Sequence, residues 1–210
     1  LMTLEEAIAK IKPLDHNAME IAQKRWDSIA KPLHSLGKLE TLLIQIAGIT
    51  GNAEVDLSRR GLIAMCADNG VVEEGVTQTG QEVTAIVAEN FLKYDTSVGV
   101  MCKQNHAEIF PVDMGMVTDT KVRTDHKIAY GTQNMTKGPA MTREQAVKGL
   151  EAGIDMVREL NDKGYRILAT GEMGIGNTTT SSAVASVLLK QPVEEMTGRG
   201  AGLTSEGLVR

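Results

Sequence analysis

A glycine-rich turn between two regular segments constrains the fold more than any other part of the chain. Residues 165–170 are rich in β-branched and aromatic side chains and predict a strand, whereas residues 181–189 are rich in Ala, Val and Leu and predict a helix. Between them lies the sequence Gly171-Glu172-Met173-Gly174-Ile175-Gly176-Asn177-Thr178-Thr179-Thr180. A strand, a turn and a helix in this order form half of a parallel βαβ unit, so the pattern predicts an α/β fold.

The same turn has the composition of an anion-binding loop. Glycines at 171, 174 and 176 let the backbone approach a ligand closely. Asn177 and the three threonines that follow, Thr178, Thr179 and Thr180, stand where the helix begins, so their side chains either cap it or join its free N–H groups in holding an anion. An ordinary tight turn with a helix cap is the alternative, because Gly-x-Gly spacing alone is a weak motif.

Composition and charge exclude several classes of protein. The 210 residues suffice for one substantial domain and a small appended one. A formal charge of −5 argues against a nucleic-acid binder, and no apolar run is long enough to span a membrane. Cys66 and Cys102 have no paired spacing and are predicted to be reduced core residues, which together with the absence of a signal-peptide pattern favours a cytoplasmic location. The four histidines lack metal-ligand spacing, so no metal site is expected.

The chain divides by its periodicity into two parts. Residues 1–52 predict three helices before any strand, and we expect them to form a small helical subdomain. Thr3 and Glu6 have the spacing of a capping box, Asp15 is placed to cap a second helix, and Ser35 to cap a third that ends at Gly51.

Residues 53–210 predict the α/β domain. The expected strands cover residues 61–67, 107–113 and 165–170, with Pro111 indicating that the second is an edge strand or contains a bulge. Helices are expected over residues 82–92 and 97–104, and from a capping box at Thr142 and Gln145 to a stop at Gly164. Residues 115–139 predict a long polar loop, of the kind that is usually functional or mobile.

Acidic residues follow or end all three predicted strands. They are Asp68, Asp113 and Glu172. Ligands bind outside the carboxyl ends of strands in open parallel sheets, so we expect these three side chains to face one crevice, although each alone also suits a turn. A second glycine loop, Gly198-Arg199-Gly200-Ala201-Gly202, precedes a helix that starts at Ser205. Two such loops favour a phosphorylated sugar or nucleotide as the ligand, with Arg199 available to pair with a phosphate or a carboxylate.

Four sequence blocks, in order along almost the whole chain, resemble one enzyme family. They are residues 31–40 with their Ser-Leu-Gly-Lys-Leu-Glu core, residues 67–84, residues 171–180 and residues 198–203. In these blocks the chain resembles the nicotinate-nucleotide:dimethylbenzimidazole phosphoribosyltransferases of cobalamin lower-ligand synthesis. The resemblance implies a Rossmann-like parallel sheet flanked by helices, a smaller helical part and a homodimer.

The resemblance also implies a reaction and a set of residues. A benzimidazole-type acceptor attacks C1′ of nicotinate mononucleotide, nicotinate leaves, and α-ribazole 5′-phosphate forms without a cofactor. The residues expected to bind substrate are Asp68, Gln81, Gly174, Ile175, Gly176, Asn177, Thr178, Gly200, Ala201 and Gly202. Glu172 is expected to assist catalysis, and the main general base is expected to be a Glu beyond Arg210.

The chain departs from the family pattern in sequence and in length. Asn69 stands where family members often have His, Gly80 where they have Pro, and Leu33-His34 where Pro-Gly is common. These changes are expected to affect which azole or phenol is accepted.

The family continues past the position of Arg210 into a Leu-Gly-Glu-Gly-Thr-Gly-Ala motif whose Glu is that general base. The chain therefore resembles the first two-thirds of the enzyme and is expected to turn over slowly or not at all by itself. The alternatives are a nucleotide- or azole-binding protein without catalysis and one subunit of a related transferase that uses phenolic acceptors.

Overall fold

A computed structural model describes residues 2–208 as two compact units. The first unit covers Met2–Ser58 and the second begins at Arg59. The first contains α1 (Leu4–Ala9), α2 (His16–Ser28) and α3 (Lys38–Thr50). The second contains β1 (Arg60–Ala67), a 3-10 helix (Gly70–Glu74), α4 (Glu82–Lys93), α5 (Ser97–Gln104), β2 (Ala107–Gly115), α6 (Arg143–Asp162), β3 (Ile167–Met173), α7 (Asn177–Leu189), α8 (Val193–Met196) and α9 (Ser205–Leu208).

The far end of the sequence carries one prediction that the structure does not test. Arg210 lies outside the described residues, and so does the general-base Glu that the resemblance implies beyond it. The assignment of the main base therefore stays a prediction.

Local capping determines where the first two helices begin. The Thr3 hydroxyl accepts a hydrogen bond from the Glu6 N–H while the Glu6 carboxylate accepts one from the Thr3 N–H, so the predicted capping box is confirmed. Asp15 accepts from the Ala18 N–H and caps α2 as predicted.

The predicted cap of α3 is wrong. The helix begins at Lys38 after Gly37, which has φ of +54°, and Ser35 does not cap it. Glu40 is buried, and its carboxylate instead contacts the residues before the helix. It accepts a hydrogen bond from the Leu36 N–H at 3.0 Å and forms an ion pair with Lys31 Nζ at 2.8 Å. The hydrogen bond from Lys31 lowers the pKa of Glu40. The ion pair joins the two ends of residues 31–40, so Lys31 has a structural role.

The second unit is built on a three-stranded parallel sheet in the order β2-β1-β3. Alternate residues of β1 face opposite sides of the sheet, so Ala64 and Cys66 pack into one apolar cluster with α4 residues such as Phe91. Ile63 packs into a second cluster with Met156 of α6. Helices therefore cover both faces, and the predicted parallel α/β sheet is confirmed.

Two boundaries bear directly on the site. β2 is an edge strand of this sheet, one of the two alternatives that Pro111 indicated. β3 continues three residues beyond the predicted end at Thr170, because Gly171, Glu172 and Met173 pair with Ala64, Met65 and Cys66 of β1. Glu172 thus lies within the strand, and the turn shortens to residues 174–176.

Candidate functional site

The carboxyl end of the sheet brings the ends of all three strands together. Cys66 of β1 pairs with Asp113 of β2 on one side and Met173 of β3 on the other. Its thiol is fully buried, and burial together with the charges of Glu172 and Asp113 raises its pKa to about 12. Cys66 therefore stays protonated and acts as a core residue rather than a nucleophile, as does the buried, unbridged Cys102 predicted with it.

Asp113 is a buried structural carboxylate. It is 0% exposed, and its Oδ1 accepts hydrogen bonds from the N–H groups of Gly115 at 2.9 Å and Met116 at 2.7 Å. Lys127 Nζ lies 3.1 Å from Oδ2 and also reaches Asp119. Burial opposes the charge on Lys127, but these two carboxylates prevail and raise its pKa. The expectation that Asp113 faces an open crevice is wrong, because its carboxylate is used to hold the loop that follows β2.

Asp68 is also buried, at 1% exposure. Its Oδ2 accepts a hydrogen bond from the Val117 N–H at 2.8 Å, and its carbonyl oxygen accepts one from the Thr132 N–H at 3.0 Å. The long polar loop is thereby tied to the end of β1 at two points. Oδ1 has no hydrogen-bond partner within residues 2–208, so a substrate contact there requires the covering residues to move.

Glu172 is the one member of the acidic set that remains accessible. Its carboxylate accepts a hydrogen bond from the side-chain amide of Asn177, across the turn that joins β3 to α7. Although water reaches the side chain, the surrounding protein desolvates the carboxyl and raises its pKa, and the Asn177 hydrogen bond only partly opposes this effect. The structure therefore places a carboxyl group with a raised pKa beside Asn177, the first residue of α7.

Packing determines the shape of the glycine turn. A Cβ atom on Gly174 would lie 2.2 Å from the carbonyl oxygen of Ala67, a steric clash that glycine avoids because it has no side chain. Gly176 has φ of +87°, and the Ile175 N–H donates to the hydroxyl of buried Thr84 at 3.1 Å. The loop is thus held by the end of β1 and by α4 before any ligand binds.

The start of α7 presents unpaired N–H groups beside this turn. The Asn177 N–H donates to the Gly174 carbonyl and the Thr179 N–H to the Gly176 carbonyl. Within the described residues, the N–H groups of Gly176 and Thr178 have no such partner. Free N–H groups combined with the positive end of the helix dipole are suited to binding an anion such as phosphate.

The second glycine loop lies against the same helix start. A Cβ atom on Gly200 would approach the Thr178 hydroxyl oxygen to 2.7 Å, and the Gly202 carbonyl accepts a hydrogen bond from Gln78. Ala201 between them is exposed. The Arg199 guanidinium donates to the Ser205 hydroxyl at 2.8 Å. The two loops that the sequence separates by more than twenty residues thus meet at Thr178.

Asn69 connects the predicted acceptor side to the glycine turn. Its carbonyl accepts from the Gln81 side chain at 3.2 Å, and its own amide donates to the Ile175 carbonyl at 3.1 Å. The Thr180 hydroxyl donates to Asn69 Oδ1 at 3.2 Å. Asn69, Thr84 and Thr180 were not among the residues expected from sequence to bind substrate or to assist catalysis, although Asn69 was expected to affect the choice of acceptor. Its departure from the family pattern pointed to Asn69, whereas Thr84 is one polar residue on an otherwise apolar helix face and has the pattern of a core residue.

Residues 2–208 contain neither a candidate metal cluster nor a membrane-spanning helix. No group of three or more His, Cys, Asp and Glu side chains in residues 2–208 has the arrangement of a metal site. In the same part of the chain, no helix is both long enough and apolar enough to cross a membrane.

Comparison with known proteins gives one consistent result. The phosphoribosyltransferase family model DBI_PRT matches residues 11–210. The nicotinate-nucleotide–dimethylbenzimidazole phosphoribosyltransferase of Ruminiclostridium cellulolyticum is 51% identical over 99% of this chain and 60% of its own length. The enzyme of the same name from Clostridium tetani is 47% identical over 98% of this chain and 58% of its own. The chain thus spans about 60% of the length of these relatives.

The structural comparison agrees. The crystal structure of CobT from Thermus thermophilus superimposes with a TM-score of 0.83 at 36% identity. The match covers 92% of this chain and 59% of that one.

Proposed function

Because the chain belongs to the DBI_PRT phosphoribosyltransferase family, we propose that it transfers phosphoribose from nicotinate mononucleotide to 5,6-dimethylbenzimidazole. The products are α-ribazole 5′-phosphate and nicotinate, and the reaction serves cobalamin biosynthesis. The observation that carries the proposal is the 51% identity to a transferase of this name over 99% of the chain. A binding protein without catalysis is not favoured, since the relatives in the comparison are named as transferases.

The nucleotide phosphate is proposed to bind at the start of α7. The unpaired N–H groups of Gly176 and Thr178 supply hydrogen-bond donors, and the helix dipole adds a favourable field. Gly174 and Ile175 fix the approach of the backbone, and Asn177 orients Glu172 beside it. The second loop, Gly200-Ala201-Gly202, closes over the ribose phosphate from the other side.

The transfer is a substitution with inversion at C1′. The unprotonated ring nitrogen of the acceptor attacks C1′ from the face opposite nicotinate, and the bond from C1′ to the pyridinium nitrogen breaks. Nicotinate leaves with that electron pair, and the proton on the other acceptor nitrogen must be removed as positive charge develops. General base catalysis of such a step contributes about 10² to 10⁴ in rate. Glu172, with its raised pKa, is proposed to assist there, while the resemblance assigns the main base to a Glu beyond Arg210.

The acceptor base is proposed to lie near Gln81 and Asp68. Gln81 is half-buried and hydrogen-bonded to the Asn69 carbonyl, and the Asn69 side chain itself bonds Ile175 and Thr180. A different side chain at position 69 therefore changes the contacts beside the acceptor. This is the physical basis for expecting an acceptor preference different from that of relatives with His there.

We also propose that the active form is a cytoplasmic homodimer. Apolar side chains on α3 are exposed, with Leu39 at 51%, Leu42 at 55% and Ile49 at 65%. Such a face is typical of surfaces that a partner covers.

The test is a chromatographic assay with both substrates, performed on the 210-residue chain and on the gene product that carries it. The gene product is expected to form α-ribazole phosphate and nicotinate in equal amounts, and the chain ending at Arg210 is expected to bind nicotinate mononucleotide with little or no turnover. Absence of both binding and product would refute the proposal. Product formed only with a phenol in place of the azole would favour the related transferase.

A further inference from the structure

A pocket lies on the α6 side of the sheet, and one of its lining residues, Ala67, also packs against Gly174 of the glycine turn. The pocket has a volume of about 250 Å³ and is bounded by the ends of β1 and β2, residues 128–133 and the first turns of α6. Ala67, Met114, Ile128, Met141 and Gly149 line it. None of the residues proposed above to bind nicotinate mononucleotide or to assist catalysis contributes to this lining.

The lining selects a neutral ligand. None of the described side chains around the pocket is charged, and most are Ala, Met or Ile. Its polar side chains are Thr132, Gln133 and Gln145. Gln145 already accepts a hydrogen bond from the Thr142 N–H, whereas Gln133 is exposed at the rim of the pocket. A charged ligand would lose its hydration without gaining an ion pair, so an apolar body with one hydrogen-bonding group fits best.

The volume and the wall residues favour a flat ring. A dry apolar cavity of about 150 Å³ holds benzene, so 250 Å³ has room for two fused rings. Met114 and Met141 offer polarisable thioethers that adapt to an aromatic face or edge.

Gly149 keeps this space open from the helix side. A Cβ atom there would meet only Ile128 Cδ1 at 3.6 Å, which is ordinary contact, and no unusual φ requires glycine. Glycine is unfavourable inside a helix, and its lack of a side chain here leaves the pocket unfilled.

We propose that this pocket is a binding site for a neutral planar molecule of one or two fused rings, distinct from the site of phosphoribosyl transfer. The proposal does not depend on the transferase activity. Residues 131 and 132 link the pocket wall to the strand ends, through hydrogen bonds from the Gly131 N–H to the Gly115 carbonyl and from the Thr132 N–H to the Asp68 carbonyl.

Indole is a suitable probe because it is neutral, planar and bicyclic, and nicotinate is the charged comparison. With methionine methyl groups labelled for NMR, indole is expected to shift the Met114 and Met141 signals by ring current, while Met173, packed in the cluster on the α4 side, stays unchanged. Nicotinate is expected to leave Met114 and Met141 unshifted. Indole shifts confined to Met173, or no shift up to the solubility limit, would overturn the proposal. Shifts of Met114 and Met141 with protein concentration alone would place a second copy in the pocket and would overturn it as well.

Three variants locate the binding independently of signal assignment. Gly149→Leu fills the pocket and is expected to weaken indole binding at least tenfold in a calorimetric titration. Gly153→Leu is the matched control, since it lies one turn further along α6 where a Cβ meets nothing within 4 Å, and it is expected to bind indole within twofold of wild type. Gly176→Val, which alters the proposed nucleotide site, is also expected to bind indole within twofold of wild type. Wild-type affinity in Gly149→Leu, or loss of affinity in Gly176→Val, would refute the assignment.

Discussion

Replacing Gly174 by Ala tests whether the glycine turn is shaped by contact with β1. The added Cβ would lie 2.2 Å from the Ala67 carbonyl oxygen, about 1.2 Å short of ordinary contact at 3.4 Å. It would also lie 2.8 Å from Glu172 Oε1 and 3.0 Å from Asn69 Nδ2. The Ala67 oxygen is a backbone atom at the end of the central strand, so the loop rather than the strand has to move.

The cost follows from the size of that movement. Overpacking of this kind destabilises a fold by about 1–3 kcal/mol. For a protein of this length, each kcal/mol lowers Tm by about 2–4 °C, so a decrease of roughly 2–12 °C is expected. A displacement of about 1 Å at a binding site can reduce catalysis about 100-fold, and we expect affinity for nicotinate mononucleotide to fall at least tenfold.

Gly198→Ala is the matched control. Gly198 lies in the second glycine loop, its φ is not positive, and a Cβ there would meet nothing within 4 Å. This variant is expected to be as stable as wild type or slightly more so, because alanine reduces the entropy of the unfolded chain. Thermal unfolding by circular dichroism and calorimetric titration measure both quantities. A Gly174→Ala protein with the Tm and the nucleotide affinity of wild type would refute the close approach on which the site is built.

Three further predictions concern charge and assembly. Glu172→Gln in the full gene product is expected to lower the rate of α-ribazole phosphate formation. Because the pKa of Glu172 is raised, the folded protein keeps this proton to higher pH than the unfolded chain does. Above that pKa the ionised carboxylate opposes folding, so the Tm of the Gln variant at pH 7 should be no lower than that of wild type. The wild-type rate should fall as pH drops through a value above the ordinary 4.5, a step that initial rates of the Gln variant should lack. Lys127→Met leaves the buried Asp113 carboxylate without its cationic partner, and urea unfolding should show the free energy of unfolding lowered by about 3 kcal/mol. The double variant that adds Asp113→Asn should recover part of this loss. An unchanged urea midpoint in Lys127→Met would show that the ion pair does not stabilise the loop. Light scattering should give twice the mass of one chain, and a monomer at high concentration would contradict the proposed dimer.

Local hydrogen bonds made several helix starts predictable from sequence. The capping boxes at Thr3 and Thr142 join residues only three positions apart, and both form as predicted. The helix over Ser97–Gln104 has the predicted bounds, with Thr96 as its cap. The continuous apolar run before Asp68 predicted a strand covered on both faces, and β1 is the central strand. In each case the signal and the structure occupy the same short segment.

Contacts between distant segments decided what the sequence did not show. β3 continues through Gly171 because its backbone pairs with β1, which outweighs the local tendency of glycine to end a strand. Asp113 became a buried structural group because Lys127, fourteen residues later, folds back onto it.

The candidate site divides in the same way. The glycines, Asn177 and Glu172 could be identified from the strand-turn-helix pattern alone, because the chemistry of a helix start is local. The hydroxyl of Thr84 that receives the Ile175 N–H comes from 91 residues earlier, and Asn69 reaches the same turn from 106 residues earlier. The sequence alone thus determined which segment is suited to approach a phosphate. Tertiary packing decided which side chains hold that segment in place, because hydrogen bonds across such separations depend on how the strands and helices pack.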